Sequence, residues 1–305
     1  MHKPRALQPG DRIAVVSPAS AFARDEFDRG VAEIARLGYQ PVYDESVFER
    51  SAFTSGSPEV RAQAFRQAWE DPAVAALIAV RGGYGSVQIL PLLEGWNPAR
   101  TPKLFIGYSD NTSILTWLTT VHGIPALHGP MLEGRLAHGP EGYDEASFRG
   151  LLTGGAGLSL QPPGLTTLKD GEASGALFGG TMTQLAAAFG TPYAFNPPDG
   201  CVLFLEDVNE RPYKVDRLLM QLRLSGVLAR ARALVFGEMR GCDEATGVTA
   251  RDTIAAFTRE FAGPVLIGFP SGHTTGPCWT LPLGVRVRVR GGNAPAVIVE
   301  ESPVE

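Results

Sequence analysis

Ser109 stands in Gly107-Tyr108-Ser109-Asp110-Asn111, between the apolar run Leu104-Phe105-Ile106 and the helical pattern Thr112–Val121. A strand that turns sharply into a helix through Gly-x-Ser-x lifts the serine hydroxyl above the sheet edge. It also aims the first helical N–H groups at whatever that hydroxyl attacks, which is the geometry of a nucleophile elbow. The usual motif closes with glycine, and here Asn111 takes that place. The plainer reading of the same residues is a βα turn with a helix cap. Downstream, the apolar run Val202–Leu205 ends in Glu206-Asp207, and His273 lies in a later loop. The order serine, acid, histidine is that of the hydrolases that use such elbows.

Glu206, first off its strand, is the candidate to accept the Nδ1–H of a histidine, which would fix the ring's tautomer and stabilise the imidazolium. Asp207 and Glu210 compete for that role, and an acid in this place also serves simply to cap the next turn. Among the five histidines, His273 sits in Gly268-Phe269-Pro270-Ser271-Gly272-His273, a glycine-flanked loop that suits a cleft better than a core. His128, in Leu127-His128-Gly129-Pro130-Met131, ends a strand and is its rival. His2 is terminal, His138 lies in a connecting stretch, and His122 ends a helical pattern where it complements the dipole.

Arg81-Gly82-Gly83-Tyr84-Gly85-Ser86 follows the strand-like run Ala75–Val80 and opens a helix. Glycine-rich loops at helix N-termini bind anions through free backbone N–H groups. The Gly-Lys-Ser/Thr of a phosphate loop is missing. Where a dinucleotide fingerprint would fall, after the first strand, stands Ser17-Pro18-Ala19-Ser20. A tight turn and an oxyanion hole beside Ser109 remain, and the two are compatible.

The elements that must position these residues alternate. Strand-like runs at Ile13–Val16, Pro41–Tyr43, Ala75–Val80, Leu104–Ile106 and Pro125–Leu127 are separated by helical patterns at Phe27–Leu37, Pro58–Trp69, Ser86–Leu93 and Thr112–Val121. This predicts an α/β fold with a parallel, doubly wound sheet covered on both faces. Ligands bind such sheets outside the carboxyl ends of the strands, the edge where Ser109 falls. After one short helix, Asp144–Leu152, the glycine- and proline-rich stretch 151–175 reads as a connector. A smaller mixed α/β half then follows. Its predicted strands are Ala176–Phe178, Val202–Leu205, Ala233–Phe236 and Val265–Ile267. Its predicted helices are Thr181–Phe189, Val215–Leu224 and Ala250–Phe261. The alternation Val285-Arg286-Val287-Arg288-Val289 turns through Gly291-Gly292-Asn293 into Val297-Ile298-Val299 as a hairpin. The predicted division is 1–150 with the nucleophile, 151–175 as connector, and 176–305 with the acid and histidine.

The 305 residues suit two such units, and a hydrophobic share of 44% fits a globular chain. The formal net charge of −5 argues against nucleic acid as a partner. Arg12, Arg24, Asp25 and Glu26 interrupt any signal-peptide core, and no apolar run is long enough to span a bilayer, so no membrane partner is expected. Cys201, Cys242 and Cys278 are too few and too scattered for a disulfide framework or a zinc site, and the cytoplasm is the expected compartment.

In order along the chain, several segments together resemble the LD-carboxypeptidases, serine peptidases that trim murein tetrapeptides. They are Ser17-Pro18-Ala19-Ser20, Arg81-Gly82-Gly83-Tyr84-Gly85, Gly107-Tyr108-Ser109-Asp110 and His128-Gly129-Pro130-Met131. The set continues through Gly175-Ala176-Leu177-Phe178-Gly179-Gly180, Leu205-Glu206-Asp207-Val208-Asn209-Glu210, Gly272-His273 and Thr280-Leu281-Pro282-Leu283-Gly284. The resemblance runs from about Pro9 to Val289. One departure is Thr181, where the family usually has asparagine.

The resemblance implies a triad of Ser109, Glu206 and His273. It implies an oxyanion hole from the N–H of Asp110 and one N–H of the Arg81–Gly85 loop, taken as Gly83, and substrate contacts at Arg81, Tyr84 and Gly180. It also implies a first domain like the class I glutamine amidotransferase sheet, a homodimer, and no metal or cofactor. The implied reaction releases terminal D-alanine from a murein peptide, whose terminal carboxylate an arginine such as Arg81 or Arg217 would hold. A rival in the same family is a microcin C immunity-like peptidase, which cleaves an aminoacyl-nucleotide amide and carries an aromatic loop for stacking the base. Residues 134–152 offer Tyr143 and Phe148 for that purpose, but no tryptophan. A rival of another class is a non-catalytic two-domain ligand-binding protein.

Overall fold

The computed structural model describes residues 1–245 and 247–305. Its first sheet joins β1 (Arg12–Val16), β2 (Gln40–Val42), β3 (Val74–Ala79), β4 (Leu104–Gly107) and β5 (Ala126–His128), all parallel. The connections carry α1 (Arg24–Arg36), α2 (Pro58–Glu70), α3 (Ser86–Ile89) and α4 (Thr112–Thr116). The spatial order β2-β1-β3-β4-β5 reverses direction between β1 and β3. That reversal opens a crevice at the carboxyl ends of the strands. The loops beginning at Ser17, Arg81 and Tyr108 all leave from this edge. Every residue of β3 and β4 is buried, as expected for a parallel strand covered on both faces.

Past α5 (Glu145–Thr153) the chain builds a second sheet. Its members are β6 (Ser159–Leu160), β7 (Thr166–Lys169), β8 (Glu172–Thr181), β9 (Cys201–Glu206), β10 (Ala231–Gly237), β11 (Val265–Phe269), β13 (Arg286–Arg290) and β14 (Ala296–Val299). Three helices interleave with it: α6 (Met182–Ala187), α7 (Pro212–Leu224) and α8 (Ala250–Phe257). The stretch β8-β9-β10-β11 is parallel, and the flanking strands run antiparallel. The whole is a mixed α/β fold. Along β9 the side chains divide by the two-residue period. Val202 and Phe204 join the core that also holds the first sheet. Cys201, Leu203 and Leu205 join a second core beneath α6, α7 and α8.

Three departures from the sequence expectation concern strands. The stretch 151–175 contributes β6 and β7, short polar edge strands whose residues show no apolar alternation. The strand expected at Ala176–Phe178 is the middle of the ten-residue β8. The third is β12 (Leu281–Leu283), which leaves the second half to pair antiparallel with β5 at the edge of the first sheet. Pro282 argues against a strand because it cannot donate to a ladder, but an edge strand tolerates it. Helix α7 also starts earlier than expected, with Pro212 at its first position, where the missing N–H costs nothing.

Phe105 of β4 is fully buried against Phe65 and is the central aromatic of the first sheet. Replacing it with alanine leaves a cavity that close-packed neighbours fill only in part. Phe105→Ala should therefore cost about 3–5 kcal/mol of stability in urea denaturation. A loss under about 1 kcal/mol would mean that this sheet is not the rigid layer described.

Candidate active site

Tyr108 leaves β4 fully extended, and Ser109 turns to φ 62° before the chain enters α4. A non-glycine residue in the left-handed region costs about 1–2 kcal/mol. Neighbours hold it there. Asn111, in the place of the motif glycine, donates from Nδ2 to the carbonyls of Arg81 at 3.0 Å and Tyr108 at 3.3 Å, tying the β4 turn to the β3 loop. Asp110 turns its carboxylate away and caps α3, accepting from Ser86 N–H at 2.7 Å, while the Ser86 hydroxyl donates to the Asp110 carbonyl at 2.5 Å. Gly82 is pressed onto the serine: a Cβ there would lie 2.7 Å from Ser109 Cβ and 2.9 Å from its Oγ. The packing contact is thus made by Gly82, whereas Gly83 turns against Ser20. The N–H groups of Gly83 and Asp110 have no protein acceptor among the described residues.

Glu206 ends β9 with 1% of its surface exposed. Its Oε2 lies 2.9 Å from His273 Nδ1 and accepts the His273 backbone N–H at 3.2 Å. Its Oε1 accepts the hydroxyl of Thr181. Burial pushes the Glu206 carboxyl up, but the bond to His273 and the charge of that ring outweigh it and hold the carboxyl below its ordinary range. Burial likewise pulls the His273 ring down, and the hydrogen bond and charge of Glu206 reverse this and raise it. Gly272 makes the approach possible. Its φ is 80°, and a Cβ there would lie 2.8 Å from His128 Cε1 and 3.1 Å from Glu206 Cδ.

The competing acids are otherwise engaged. Asp207 accepts from the N–H and hydroxyl of Thr183 at 2.9 and 2.7 Å and so caps α6. Glu210 pairs with Lys214 at 3.0 Å. The competing histidine, His128, is fully buried, with Nδ1 2.8 Å from Ser271 Oγ. Burial lowers its pKa to about 4, so it is neutral at ordinary pH. His273 keeps 21% of its side chain exposed, and its ring stands edge-on to Tyr108 with centroids 5.3 Å apart. No hydrogen bond joins Ser109 to His273 among the described residues.

Arg135 was not singled out by sequence. It donates to the carbonyls of Gly272 at 2.9 Å, Thr274 at 2.8 Å and Gly276 at 3.1 Å, and so pins the His273 loop from the first half of the chain. Nothing in its local sequence announces this role, because all three acceptors are backbone atoms 137 to 141 residues away. Beside it opens a cleft of about 450 Å³ whose walls include Tyr108, Arg135, His138, Glu141, Arg240 and His273.

The sequence-derived substrate contacts are scattered around this centre. Arg81 pairs with Glu133 at 3.0 Å. Tyr84 is exposed, with its ring 5.4 Å from that of Phe53. Gly180 packs on Thr112, whose Oγ1 accepts the Thr181 N–H at 3.2 Å. Arg217 is exposed on α7 over the Tyr213 ring. No group of three or more His, Cys, Asp or Glu side chains among the described residues is placed to hold a metal ion, and no described helix is long and apolar enough to cross a membrane.

Two sequence profiles match the chain: the LD-carboxypeptidase N-terminal domain over residues 13–129 and the LD-carboxypeptidase C-terminal domain over residues 174–289. The chain belongs to the LD-carboxypeptidase family. Within this family it is similar to the murein tetrapeptide carboxypeptidase of Pseudomonas aeruginosa, 32% identical over 87% of this chain and 89% of that one. It is also similar to the microcin C7 self-immunity protein MccF of Escherichia coli, 27% identical over 97% of this chain and 95% of MccF. Among solved structures, MccF in complex with aspartyl sulfamoyl adenosine superposes with a TM-score of 0.88, at 25% identity over 99% of both chains. The muramoyltetrapeptide carboxypeptidase of Oxalobacter formigenes superposes at 0.80, with 27% identity over 94% of this chain and 97% of that one. In this LD-carboxypeptidase-family chain the two profiles carry Ser109 on one side and Glu206 with His273 on the other.

The pair has a defined pH signature. A raised histidine contributes stability that is fully present below its ordinary value of about 6.5 and is lost as pH rises through the raised folded value. A lowered carboxylate contributes stability present above its ordinary value and lost as pH falls through the lowered folded value. The pair therefore stabilises most between the ordinary carboxylate and ordinary histidine values. Glu206→Gln should move the His273 titration midpoint, followed by NMR, downward from the parent's, because burial then acts unopposed. An unchanged midpoint would show that Glu206 does not set the ring's proton affinity.

Proposed function

We propose that this chain is a serine LD-carboxypeptidase that hydrolyses the amide between an L-configured centre and the terminal D-alanine of a murein tetrapeptide. The observation that carries the reading is the buried Glu206 carboxylate on His273 Nδ1 at 2.9 Å, in a chain that also holds a serine in a strained elbow. In the proposed mechanism His273 Nε2 takes the Ser109 proton as Oγ attacks the carbonyl, and Glu206 steadies the imidazolium. Ser109 and His273 come into hydrogen-bond reach in the substrate complex, as catalytic contacts commonly do. The developing oxyanion is received by the free N–H groups of Asp110 and Gly83. His273 then returns the proton to the departing amine, and a water activated by the same ring releases the acyl group from Ser109.

A second reading is an MccF-like peptidase acting on an aminoacyl-nucleotide amide, and the higher TM-score to MccF favours it. What supports ranking it second is the state of the aromatic side chains that would stack a base. Tyr143 and Phe148 are buried against each other rather than presented to the cleft. The identity to the Pseudomonas murein enzyme is also the higher of the two.

The test is release of alanine from a synthetic tetrapeptide ending in D- or L-alanine. Ser109→Ala should stay folded and lose about four to six orders of magnitude in kcat. The D-peptide should be preferred by about 10⁴-fold or more, since the wrong hand leaves buried polar groups unpaired. Equal rates for the two hands, or a Ser109→Ala enzyme within tenfold of the parent, would overturn the reading. Failure of a fluorophosphonate to label Ser109 in the parent would favour a non-catalytic binding protein.

A further inference from the structure

Resting on the carboxypeptidase reading above, we propose that Arg240 is the specificity-determining cation that receives the carboxylate of the leaving amino acid. The leaving amine must take its proton from His273. In an α-amino acid the carboxylate carbon lies only about 2.5 Å from that nitrogen. The partner of the carboxylate therefore belongs to the His273 side of the site, and Arg240 lines the same cleft as His273.

The other cations considered for this role are engaged elsewhere or offer the wrong donors. Arg81 is paired with Glu133 at 3.0 Å. Arg135 lines the cleft, but its guanidinium is taken up by three backbone carbonyls of the His273 loop. Arg217 is out on α7 over Tyr213. His138 also lines the cleft, but an imidazole cannot give the two parallel N–H donors with which a guanidinium matches a carboxylate. Arg240 is exposed to solvent and has no ion-pair partner among the described residues.

Its backbone is held as a functional position would be. Met239, immediately before it, has φ 55°, and Asn209, on the neighbouring turn after β9, has φ 57°. The Asn209 N–H donates to the Arg240 carbonyl at 2.9 Å, so the two strained turns brace each other. Glu238 accepts the Thr275 N–H at 2.8 Å, which fastens this turn to the His273 loop. Strain in non-glycine residues persists where the surroundings over-determine it, and such sites cluster at ligand clamps. The backbone that carries Arg240 is thus fastened to the loop that carries His273.

The experiment compares kcat/KM for the D-alanyl tetrapeptide and for its C-terminal amide in the parent, Arg240→Met, Arg240→Lys and Glu141→Gln enzymes. Fluorophosphonate labelling of Ser109 reports on the integrity of the reaction centre. Arg240→Met should lose roughly 100-fold or more on the acid and little on the amide, bringing the preference for acid close to unity. Arg240→Lys keeps the charge but not the fork and should lose roughly tenfold. Glu141→Gln, which removes the cleft's own carboxylate, should keep the preference. Labelling rates should stay within roughly threefold of the parent in all of them. An Arg240→Met enzyme that still prefers acid over amide as strongly as the parent overturns this assignment alone. A parent that labels at Ser109 but releases no alanine overturns the substrate reading and this assignment with it.

Discussion

A carboxylate with almost no access to water has to be kept charged, and the centre of this molecule is arranged around that requirement. Isolated in an apolar interior, Glu206 would take up a proton. Two donors from His273 and one from Thr181 hold it ionised instead. Each donor needs its own backbone to be placed. Thr181 comes from the end of β8, and its N–H is anchored on Thr112 of the first half. His273 comes from a loop whose preceding residue can only be glycine. Removing one member of such a buried pair commonly costs about 3–5 kcal/mol, because the other is left without compensation. The same charge that holds the fold together here raises the proton affinity of the His273 ring, so stability and the proposed chemistry depend on one contact.

The strain at Ser109 is the counterpart in the first half of the chain. It is borne by residues that look incidental in sequence. Asn111 fills the place of the elbow glycine and ties the β3 and β4 loops together. Asp110 uses its side chain as a cap on α3, and its own N–H has no protein acceptor among the described residues. Gly82 lets the β3 loop close onto the hydroxyl. Because β3 and β4 run parallel, these loops leave from one edge of the sheet.

Much of this was legible in the sequence because it is local. Alternating strand and helix patterns announced the parallel sheet, and Gly-x-Ser-x after an apolar run announced the turn at Ser109. The order of residue types favoured Glu206 and His273 over Asp207, Glu210 and His128, and the family resemblance implied that pair. Features that depend on contacts between distant segments were not legible. Pro282 concealed an edge strand, and β6 and β7 are too short to show a period. Arg135 acts entirely on backbone carbonyls far along the chain. Thr181 stood out as a departure from the family's asparagine, but its bond to Glu206 could be seen only once β8 and β9 lay side by side. Arg240 likewise becomes conspicuous only when the partners of every neighbouring cation are known.

The division of labour between the two halves explains where the cross-links fall. Under the proposed mechanism the nucleophile rides on the first sheet and its base on a loop of the second, so no local stretch of chain fixes their separation. The interface must do so. Arg135 grips the His273 loop at three carbonyls, Ser271 meets His128 of β5, Thr181 meets Thr112, and β12 carries the second half back into the first sheet. These polar, directional contacts add to the shared apolar core that already packs Val202 and Phe204 of the second half with the first sheet. A hydrogen bond weakens steeply when its geometry is disturbed, so each of them penalises displacement of one half against the other. Proton transfer between Ser109 and His273 would tolerate about as little displacement as these bonds do. Under the proposed mechanism, these cross-links are what would set the separation of Ser109 and His273.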